Sequence, residues 1–244
     1  MLQKYFKNLY KRTMQEAYSR AHQEIVKTLR DGGLCLDCGA SQGQKYQLLK
    51  EEIDFAQSSY YGIEWNENLV LNAQKRKINL VQGDLNKELQ FPDNKFKCVF
   101  GLSVLEHLLN PCRYLTECYR VLELDGCLII LTPNISTYFT ALLILLGKMP
   151  SSGPHPDSDQ LVRQEELFKV SDPGLQSDTE TDTPVHRHLV VFSYRVLMSY
   201  CRMIGFREVK GYGYGLYPFP NFMQPLLEKI DPYHCHQMVI VARK

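Results

Sequence analysis

Apolar residues recur at every third or fourth position through residues 1–33. This spacing places the apolar side chains on one face, so it predicts one or two amphipathic helices that end at Asp31-Gly32-Gly33. We expect residues 1–33 to form a helical cap on the core. The positions that define the pattern are Leu2, Phe6, Leu9, Met14, Ala17, Ala21, Ile25 and Leu29.

From residue 34 onward, short apolar runs alternate with helical patterns. The strand-like runs are 34–38, 60–65, 78–83, 96–102 and 127–132, and the helical patterns lie near 43–52, 66–77 and 110–122. Two last strands are predicted at 205–209 and 236–242. Alternation of strand and helix favours right-handed crossovers, so we predict an α/β fold with a doubly wound, mostly parallel seven-stranded sheet within residues 34–244.

A stretch of different composition interrupts this order at about 136–187. It opens with an apolar, helix-like segment and continues with five prolines among Ser, Asp and Thr. Such a composition disfavours regular structure, so we predict an inserted lid. The next helical pattern is 188–204, and a stretch rich in Gly, Tyr and Pro at 211–220 separates the last two strands.

Length and charge limit the class of function. A chain of 244 residues can bury one substantial core, and a formal net charge of +1 gives no overall field that would attract nucleic acid. Residues 1–30 carry seven Lys and Arg against two Glu, whereas residues 151–186 carry two Lys and Arg against eight Asp and Glu. Two solvated faces are the simplest explanation of this asymmetry.

Three of the eight cysteines, Cys35, Cys98 and Cys127, lie inside apolar runs. Free thiols pack there as small apolar groups, which favours a reducing, cytoplasmic location. The C-x-x-C at 35–38 has no second pair, so zinc or redox chemistry is not favoured. The N-terminus lacks the apolar segment of a secretory signal, and the longest apolar run, 138–146, is too short to span a bilayer.

The first predicted strand leads into a glycine-containing loop that opens a helix. The loop contains Gly39 and Gly43, with Asp37 at the end of the strand. At this place in a parallel sheet, backbone N–H groups and a helix N-terminus face a bound ligand. Glycine lets the backbone approach that ligand closely.

Acidic residues end the next two predicted strands. Glu64 lies 27 residues after Asp37, and a carboxylate there can accept hydrogen bonds from both ribose hydroxyls of an adenosine-containing ligand. Asp84 ends the third strand, where it can accept from an adenine amino group. The alternative for each acid is a helix N-cap or a solvated turn.

These positions and two longer segments, 96–107 and 120–130, resemble the class I S-adenosylmethionine-dependent methyltransferases, in particular the group that includes quinone-biosynthesis enzymes. The loop from Asp37 to Gly43 is similar to the family's D-x-G-x-G-x-G motif, with Ser41 replacing the middle glycine. The resemblance covers about 34–134 and, more weakly, 205–244. It implies a Rossmann-like methyltransferase fold, S-adenosylmethionine as methyl donor and S-adenosylhomocysteine as product.

The resemblance also assigns cofactor-binding roles. Glu64 resembles the family's ribose-binding acid, and Asp84-Leu85 its adenine-contacting pair. A dinucleotide-binding protein is the competing interpretation, but its G-x-G-x-x-G motif requires glycine where this chain has Ser41 and Gln44. The expected cofactor-binding residues are Asp37, Gly39, Ala40, Ser41, Gly43, Glu64, Trp65, Asp84, Leu85 and Leu102.

Histidines supply the candidate catalytic residues. His107 follows the fourth strand, close to the expected acceptor, and is the first candidate for a base or an orienting group. His188, at the end of the insertion, is the second candidate. For His107 the alternative is a structural role, capping a helix or filling the core. Glu106-His107 resembles the end of an E-x-x-E-H metal motif, but Ser103 replaces its first acid, so no metal is predicted.

The acceptor is expected to be a small molecule, lipophilic if the apolar candidates below line its site, that is methylated on oxygen or nitrogen, with carbon less favoured. The chain lacks the Asn/Asp-Pro-Pro-aromatic signature of amide or base methylation and a basic, aromatic patch, so nucleic acid is disfavoured. A catalytically silent cofactor-binding partner is the alternative function. Residues 234–236 are interpreted as structural, and the oligomeric state is not predicted. Candidate acceptor-lining residues are Phe139, Leu142, Leu143, Leu145, Leu146, Tyr212, Tyr214, Tyr217 and Phe219.

Overall fold

The computed structural model describes residues 2–150, 152–165 and 187–244. Seven strands form one sheet: β1 (Cys35–Cys38), β2 (Tyr60–Glu64), β3 (Leu80–Gln82), β4 (Phe96–Leu102), β5 (Leu122–Pro133), β6 (Glu208–Tyr214) and β7 (Gln237–Arg243). Their order across the sheet is β3-β2-β1-β4-β5-β7-β6. Strand β7 runs antiparallel to both of its neighbours, and the other pairs are parallel. The predicted mostly parallel seven-stranded sheet is therefore confirmed.

Helices cover both faces of this sheet. Their bounds are α1 (Leu2–Leu29), α2 (Gln44–Ile53), α3 (Glu67–Lys75), α4 (Pro111–Val121), α5 (Tyr138–Leu145), α6 (Asp159–Glu165), α7 (Tyr194–Ile204) and α8 (Gln224–Ile230). Short 3₁₀ turns occupy Gln57–Ser59, Leu105–His107 and Pro232–His234. The strand order reverses between β1 and β4, so the carboxyl ends of these two strands border a crevice, which is where such sheets bind ligands.

Helix α1 packs its apolar stripe on one face of the sheet. Ala17, Ala21, Ile25 and Leu29 are buried in the same core cluster as residues of β4 and β5. Burial of a large aliphatic side chain such as Ile25 stabilises the fold by about 1.5–3 kcal/mol relative to its exposure. The N-terminal segment is thus a single helix that forms part of the core.

Successive residues of the central strands alternate between the two faces of the sheet, as the strand geometry requires. In β4, Cys98 joins the cluster beneath α1, whereas Val99 joins the cluster that α4 and α7 cover. All eight cysteines are free, and burial raises the pKa of the Cys127 thiol to about 11. Cys112 is exposed, and the other seven thiols are buried. The burial of Cys35, Cys98 and Cys127 agrees with their interpretation as packing groups.

Two boundaries near the C-terminus differ from the predicted ones. The sixth strand is Glu208–Tyr214, so it includes part of the stretch interpreted as a loop. Glycine makes this strand possible, because a Cβ on Gly213 would lie 2.4 Å from the carbonyl oxygen of Pro232. Helix α7 begins at Tyr194, and His188 lies before it in a segment whose Leu189 N–H donates to the Glu106 carbonyl, 2.7 Å away.

The predicted lid at about 136–187 is described only in part. Helices α5 and α6 fall within it, while residues 151 and 166–186 lie outside the described residues. Within the described ranges, every helix is too short or too polar to cross a bilayer.

Candidate functional site

A cavity of about 1240 Å³ lies along the carboxyl edge of the sheet. Each of the first five strands supplies a residue at or just past its end: Gly39, Glu64, Gly83, Ser103 and Pro133. Pockets for a single drug-sized ligand usually measure about 300–1,000 Å³. This cavity is large enough for two small molecules side by side.

The glycine loop closes one end of the cavity. The N–H groups of Gly39 and Ala40 both donate to the Ile63 carbonyl, at 2.9 and 3.0 Å, which fixes the loop against β2. Gly39 has φ +77°, and a Cβ there would lie 2.5 Å from Val104 Cγ2, so this position requires glycine. Ser41, at the position of the family's middle glycine, also has a left-handed backbone with φ 49°.

Glu64 connects this loop to the start of α3. Its Oε2 accepts a hydrogen bond from Ser41 N at 2.9 Å, and its Oε1 accepts from Asn66 N at 3.0 Å. A carboxylate oxygen has a second lone pair, so these bonds orient the group and leave capacity for ligand hydroxyls. The next residue, Trp65, lines the cavity with 70% of its surface exposed.

Asp84 lines the same end of the cavity. Its Oδ1 accepts hydrogen bonds from Asn86 N at 2.9 Å and from Asn86 Nδ2 at 3.0 Å. Burial opposes ionisation of Asp84, but the bonds from Asn86 and the charge of Lys87 hold the pKa of this carboxyl below its usual value. The group is therefore an ionised acceptor at neutral pH. Leu85 adds an apolar contact surface beside it.

The ten predicted cofactor residues divide into two sets. Those that line the cavity together are Gly39, Glu64, Trp65, Asp84 and Leu85. Those that do not line it are Asp37, Ala40, Ser41, Gly43 and Leu102. Asp37 Oδ2 accepts a hydrogen bond from Tyr60 Oη at 2.5 Å, and burial raises its pKa to about 7. Gly43 precedes α2 with φ +73°. The second set therefore consists of Asp37 and Leu102 at strand ends and of three residues of the loop itself.

Both candidate catalytic histidines line the middle of the cavity, with their ring centroids 5.3 Å apart. His107 Nδ1 lies 3.0 Å from the Arg187 carbonyl oxygen. A carbonyl only accepts, so the neutral His107 carries its proton on Nδ1 and a lone pair on Nε2. His188 stacks on His155 at 4.7 Å. Burial, with repulsion from His155 and His107, lowers the pKa of His188 to about 3.

Glu106, His107 and His188 are the described residues that could hold a metal ion. One ligand atom from each lies within 4.8 Å of the others. Two imidazoles and one carboxylate suit a transition metal better than Mg²⁺, which prefers oxygen ligands. Glu106 Oε2 already accepts a hydrogen bond from Thr132 Oγ1 at 2.9 Å. The absence of a metal requirement stays a prediction.

The far end of the cavity is apolar and aromatic. Its α1 residues, Phe6, Tyr10, Met14 and Tyr18, are spaced four apart and form one stripe. Of the candidate acceptor-lining residues, Phe139, Leu143 and Tyr217 line the cavity, whereas Leu142 and Leu145 on α5 and Leu146 just after it are exposed and do not. Other members of the predicted aromatic wall lie elsewhere, because Tyr214 and Tyr212 contact Arg20 and Glu24 of α1. Phe219 does not line the cavity either.

Residues 36–130 match the family model described as a methyltransferase domain. The match runs from β1 into β5 and therefore includes the glycine loop, Glu64, Asp84 and His107. Over these residues the chain is similar to the S-adenosylmethionine-dependent methyltransferases. S-adenosylmethionine is the cofactor of that family, and S-adenosylhomocysteine is its product, as predicted.

Curated relatives are similar to this chain over about half of its length. A probable S-adenosylmethionine-dependent methyltransferase of Mycobacterium tuberculosis is 29% identical over 133 residues, 51% of this chain and 46% of that protein. A probable methyltransferase of Mycolicibacterium smegmatis is 27% identical over 124 residues, 49% of this chain and 46% of that protein. The chain spans about half the length of the curated relatives it matches.

The similarity of fold to solved structures extends over nearly the whole chain. A solved S-adenosylmethionine-dependent methyltransferase from Mesorhizobium loti superposes with a TM-score of 0.60 at 15% identity. The superposition covers 93% of this chain and 98% of that one. The predicted Rossmann-like methyltransferase fold is confirmed.

The charges of the cavity fit S-adenosylmethionine. Its lining includes the acids Glu64 and Asp84, and no lysine or arginine among the residues described. A third lining acid, Glu106, is only partly ionised at neutral pH, because burial raises its pKa to about 7. Anionic walls attract the sulfonium and ammonium groups of S-adenosylmethionine, whereas the pyrophosphate of a dinucleotide would be repelled. The bent glycine loop, into which a Cβ at Gly39 would not fit, leaves backbone close to the ligand.

Several residues of the candidate site were not predicted from the sequence. His236, interpreted as structural, lines the cavity, and its Nδ1 lies 3.0 Å from Ser152 Oγ. Burial lowers its pKa to about 4, so it is neutral at neutral pH. Tyr18 Oη donates to Ser103 Oγ at 3.1 Å, which joins α1 to the end of β4. The four-residue spacing of the α1 stripe was the available signal, but it also fitted a core-facing helix.

Proposed function

We propose that this chain transfers a methyl group from S-adenosylmethionine to an oxygen or nitrogen atom of a small, lipophilic metabolite. One observation carries the proposal: the same cavity is lined by Glu64 and Asp84, by both candidate histidines, and by apolar and aromatic residues of α1 and α5, which we call the aromatic chamber. The donor and the acceptor can therefore meet beside a histidine.

S-adenosylmethionine, when bound, supplies an electrophilic methyl group that needs little help to leave. The task of the protein is therefore mainly to hold the two reactants in line and exclude water. Glu64 and Asp84 orient the adenosyl end through hydrogen bonds that their neighbours have already aligned. The aromatic chamber selects an acceptor without strong charge, and its lack of cationic residues among those described supports a substrate other than nucleic acid.

His107 is the better of the two candidates for a general base. An efficient base has a pKa near the working pH, and burial holds His188 far below that range. The carbonyl of Arg187 fixes the His107 tautomer with its lone pair on Nε2. We assign His107 the role of accepting a proton from the methyl acceptor. We assign His188 the role of positioning that acceptor. The eight free cysteines support a cytoplasmic location.

The test combines cofactor binding with methyl transfer. Trp65 fluorescence should change on titration with S-adenosylhomocysteine, because this residue lines the cavity beside Glu64. Glu64→Gln removes a charge that receives hydrogen bonds and should weaken binding about 10- to 100-fold, the range for a charge-assisted bond. Glu67→Gln, an exposed acid in the first turn of α3, is the matched control and should bind as the parent does.

Turnover is measured with methyl-labelled cofactor and a panel of phenols, quinols and amines. His107→Gln should lower kcat about 100-fold or more while leaving cofactor affinity unchanged. A chelator should have no effect, because the sulfonium needs no Lewis acid. Binding without transfer to any member of the panel would favour the silent cofactor-binding partner, and a flat Trp65 titration confirmed by calorimetry would remove the proposal altogether.

A further inference from the structure

Helices α5 and α8 expose large apolar side chains on the outside of the cavity wall. Leu142 and Leu145 are 52% and 84% exposed on α5, while Phe139 and Leu143 of the same helix face inward. Just before and within α8, Phe222, Leu226 and Ile230 are 84%, 65% and 67% exposed at four-residue spacing. We call these five exposed residues, with Tyr138, the apolar surface.

The two halves of the apolar surface meet at one junction. Tyr138 Oη donates to Asp231 Oδ2 at 2.6 Å, directly after the end of α8, and its ring stacks on His234 with centroids 4.5 Å apart. The start of α1 contacts both α5 and the segment that precedes α8. Tyr5 Oη donates to the Pro218 carbonyl at 3.2 Å, and the Phe6 ring lies 6.0 Å from the Phe139 ring.

This end of α1 is strongly basic. Lys4, Lys7 and Lys11 are exposed, and their spacing of three and four residues places them on one face of the helix. No acidic residue occurs in the sequence before Glu16. Lys229 adds an exposed positive charge on α8 itself. An apolar surface with a basic border is complementary to a bilayer whose leaflet carries anionic headgroups.

We propose that the apolar surface and the lysines of α1 dock this protein on the surface of an anionic lipid bilayer. Exposed leucine and phenylalanine side chains enter the boundary between headgroups and acyl chains, and the lysines contact the headgroup phosphates. A second copy of the chain is the less favourable occupant, because a two-fold contact through this face would bring two basic borders together. The docking does not depend on methyl transfer.

The test is co-sedimentation of the full chain with vesicles of phosphatidylcholine mixed with phosphatidylglycerol, compared with phosphatidylcholine alone. The parent should bind the anionic vesicles and bind the neutral ones much more weakly. Neutralising the basic face with Lys4→Gln, Lys7→Gln and Lys11→Gln should weaken partitioning about 100-fold, since each lysine near such a surface contributes a factor of about five. The matched control neutralises Lys50, Lys75 and Lys210, which are exposed elsewhere.

A second variant tests the apolar contribution. Leu142→Ser, Leu145→Ser and Leu226→Ser together should weaken binding to anionic vesicles at least about tenfold, because each loses buried apolar area. Leu124→Ser, at a site that is 71% exposed near the start of β5, is the control. Unchanged cofactor affinity and melting temperature establish that each variant is folded.

Three results would overturn the proposal. The parent could fail to sediment with anionic vesicles. The triple serine variant could bind anionic vesicles as the parent does, which would mean that binding arises from non-specific charge attraction alone. Sedimentation velocity could reveal a dimer that the serine substitutions dissociate, which would assign the apolar surface to a second copy. Retained vesicle binding in Glu64→Gln would separate this proposal from the proposed catalytic function.

Discussion

Single residues of the glycine loop perform tasks that their sequence motif does not distinguish. Asp37 and Glu64 are both acids near strand ends, yet Glu64 lines the cavity while Asp37 lies behind it with its carboxyl against Tyr60. The motif could place both residues near the cofactor. It could not assign their environments, because these depend on Tyr60, which is 23 positions from Asp37 in the chain.

Asp37→Asn tests that environment through pH. Burial raises the folded-state pKa of Asp37 to about 7, above the value of about 3.9 for an unfolded chain. The protonated group therefore stabilises the fold fully below about pH 4, and this contribution is lost as pH rises towards 7. The parent should lose up to about 1.4 kcal/mol of unfolding free energy per pH unit relative to Asp37→Asn between these values. Urea unfolding at several pH values measures the difference.

Asp31→Asn is the control for this measurement, since Asp31 is exposed at the end of α1. Its unfolding free energy should stay parallel to that of the parent at every pH. Parallel curves for Asp37→Asn as well would mean that Asp37 is ionised in the folded protein, contrary to its buried contact with Tyr60.

At the scale of elements, periodicity predicted which segments form strands and helices. It did not predict which side of each element faces the core and which faces the cavity. The central strands β4 and β5 carry long apolar runs because both faces of the sheet are covered there, and this signal was sufficient. Helix α1 is different. Its apolar positions fall on two neighbouring stripes, one packed on the sheet and the other, with Tyr10 and Met14, facing the cavity. Both stripes have helical spacing, so sequence alone could not separate core from binding wall.

The cavity stripe of α1 should determine acceptor specificity. Met14→Ala removes a side chain from the chamber wall and should raise the KM for a bulky acceptor about tenfold, the scale of one or two lost methylene contacts. The affinity for S-adenosylhomocysteine should not change. Met14→Leu, of similar volume, should restore the parent KM, and Gln15→Ala on the exposed face should have no effect. An altered cofactor affinity with an unaltered acceptor KM would contradict this prediction, because it would place Met14 beside the cofactor and not beside the acceptor.

At the scale of the whole molecule, the hydrophobic core is continuous across residue 33, where the sequence predicted a boundary between the helical cap and the rest of the chain. Ala21 and Ile25 of α1 are buried in the cluster that also contains Phe100 of β4 and Ile129 of β5. Tyr18 adds a hydrogen bond to Ser103 at the carboxyl edge. Sequence boundaries marked by Gly32 and Gly33 describe where a helix ends, whereas cooperative units are set by which side chains share a core.

A helix that shares the core should unfold with the sheet. We expect one thermal transition, and S-adenosylhomocysteine at 100 times its Kd should add about 2.7 kcal/mol of stability. For a chain of this size that corresponds to a rise in Tm of about 5–10 °C. Hydrogen exchange should find the amides of α1 between Ala17 and Leu29 as protected as those of β4. If α1 exchanged well before β4, or melted in a separate transition that the ligand did not shift, residues 1–33 would be an independent cap and the shared core would contribute little to their stability.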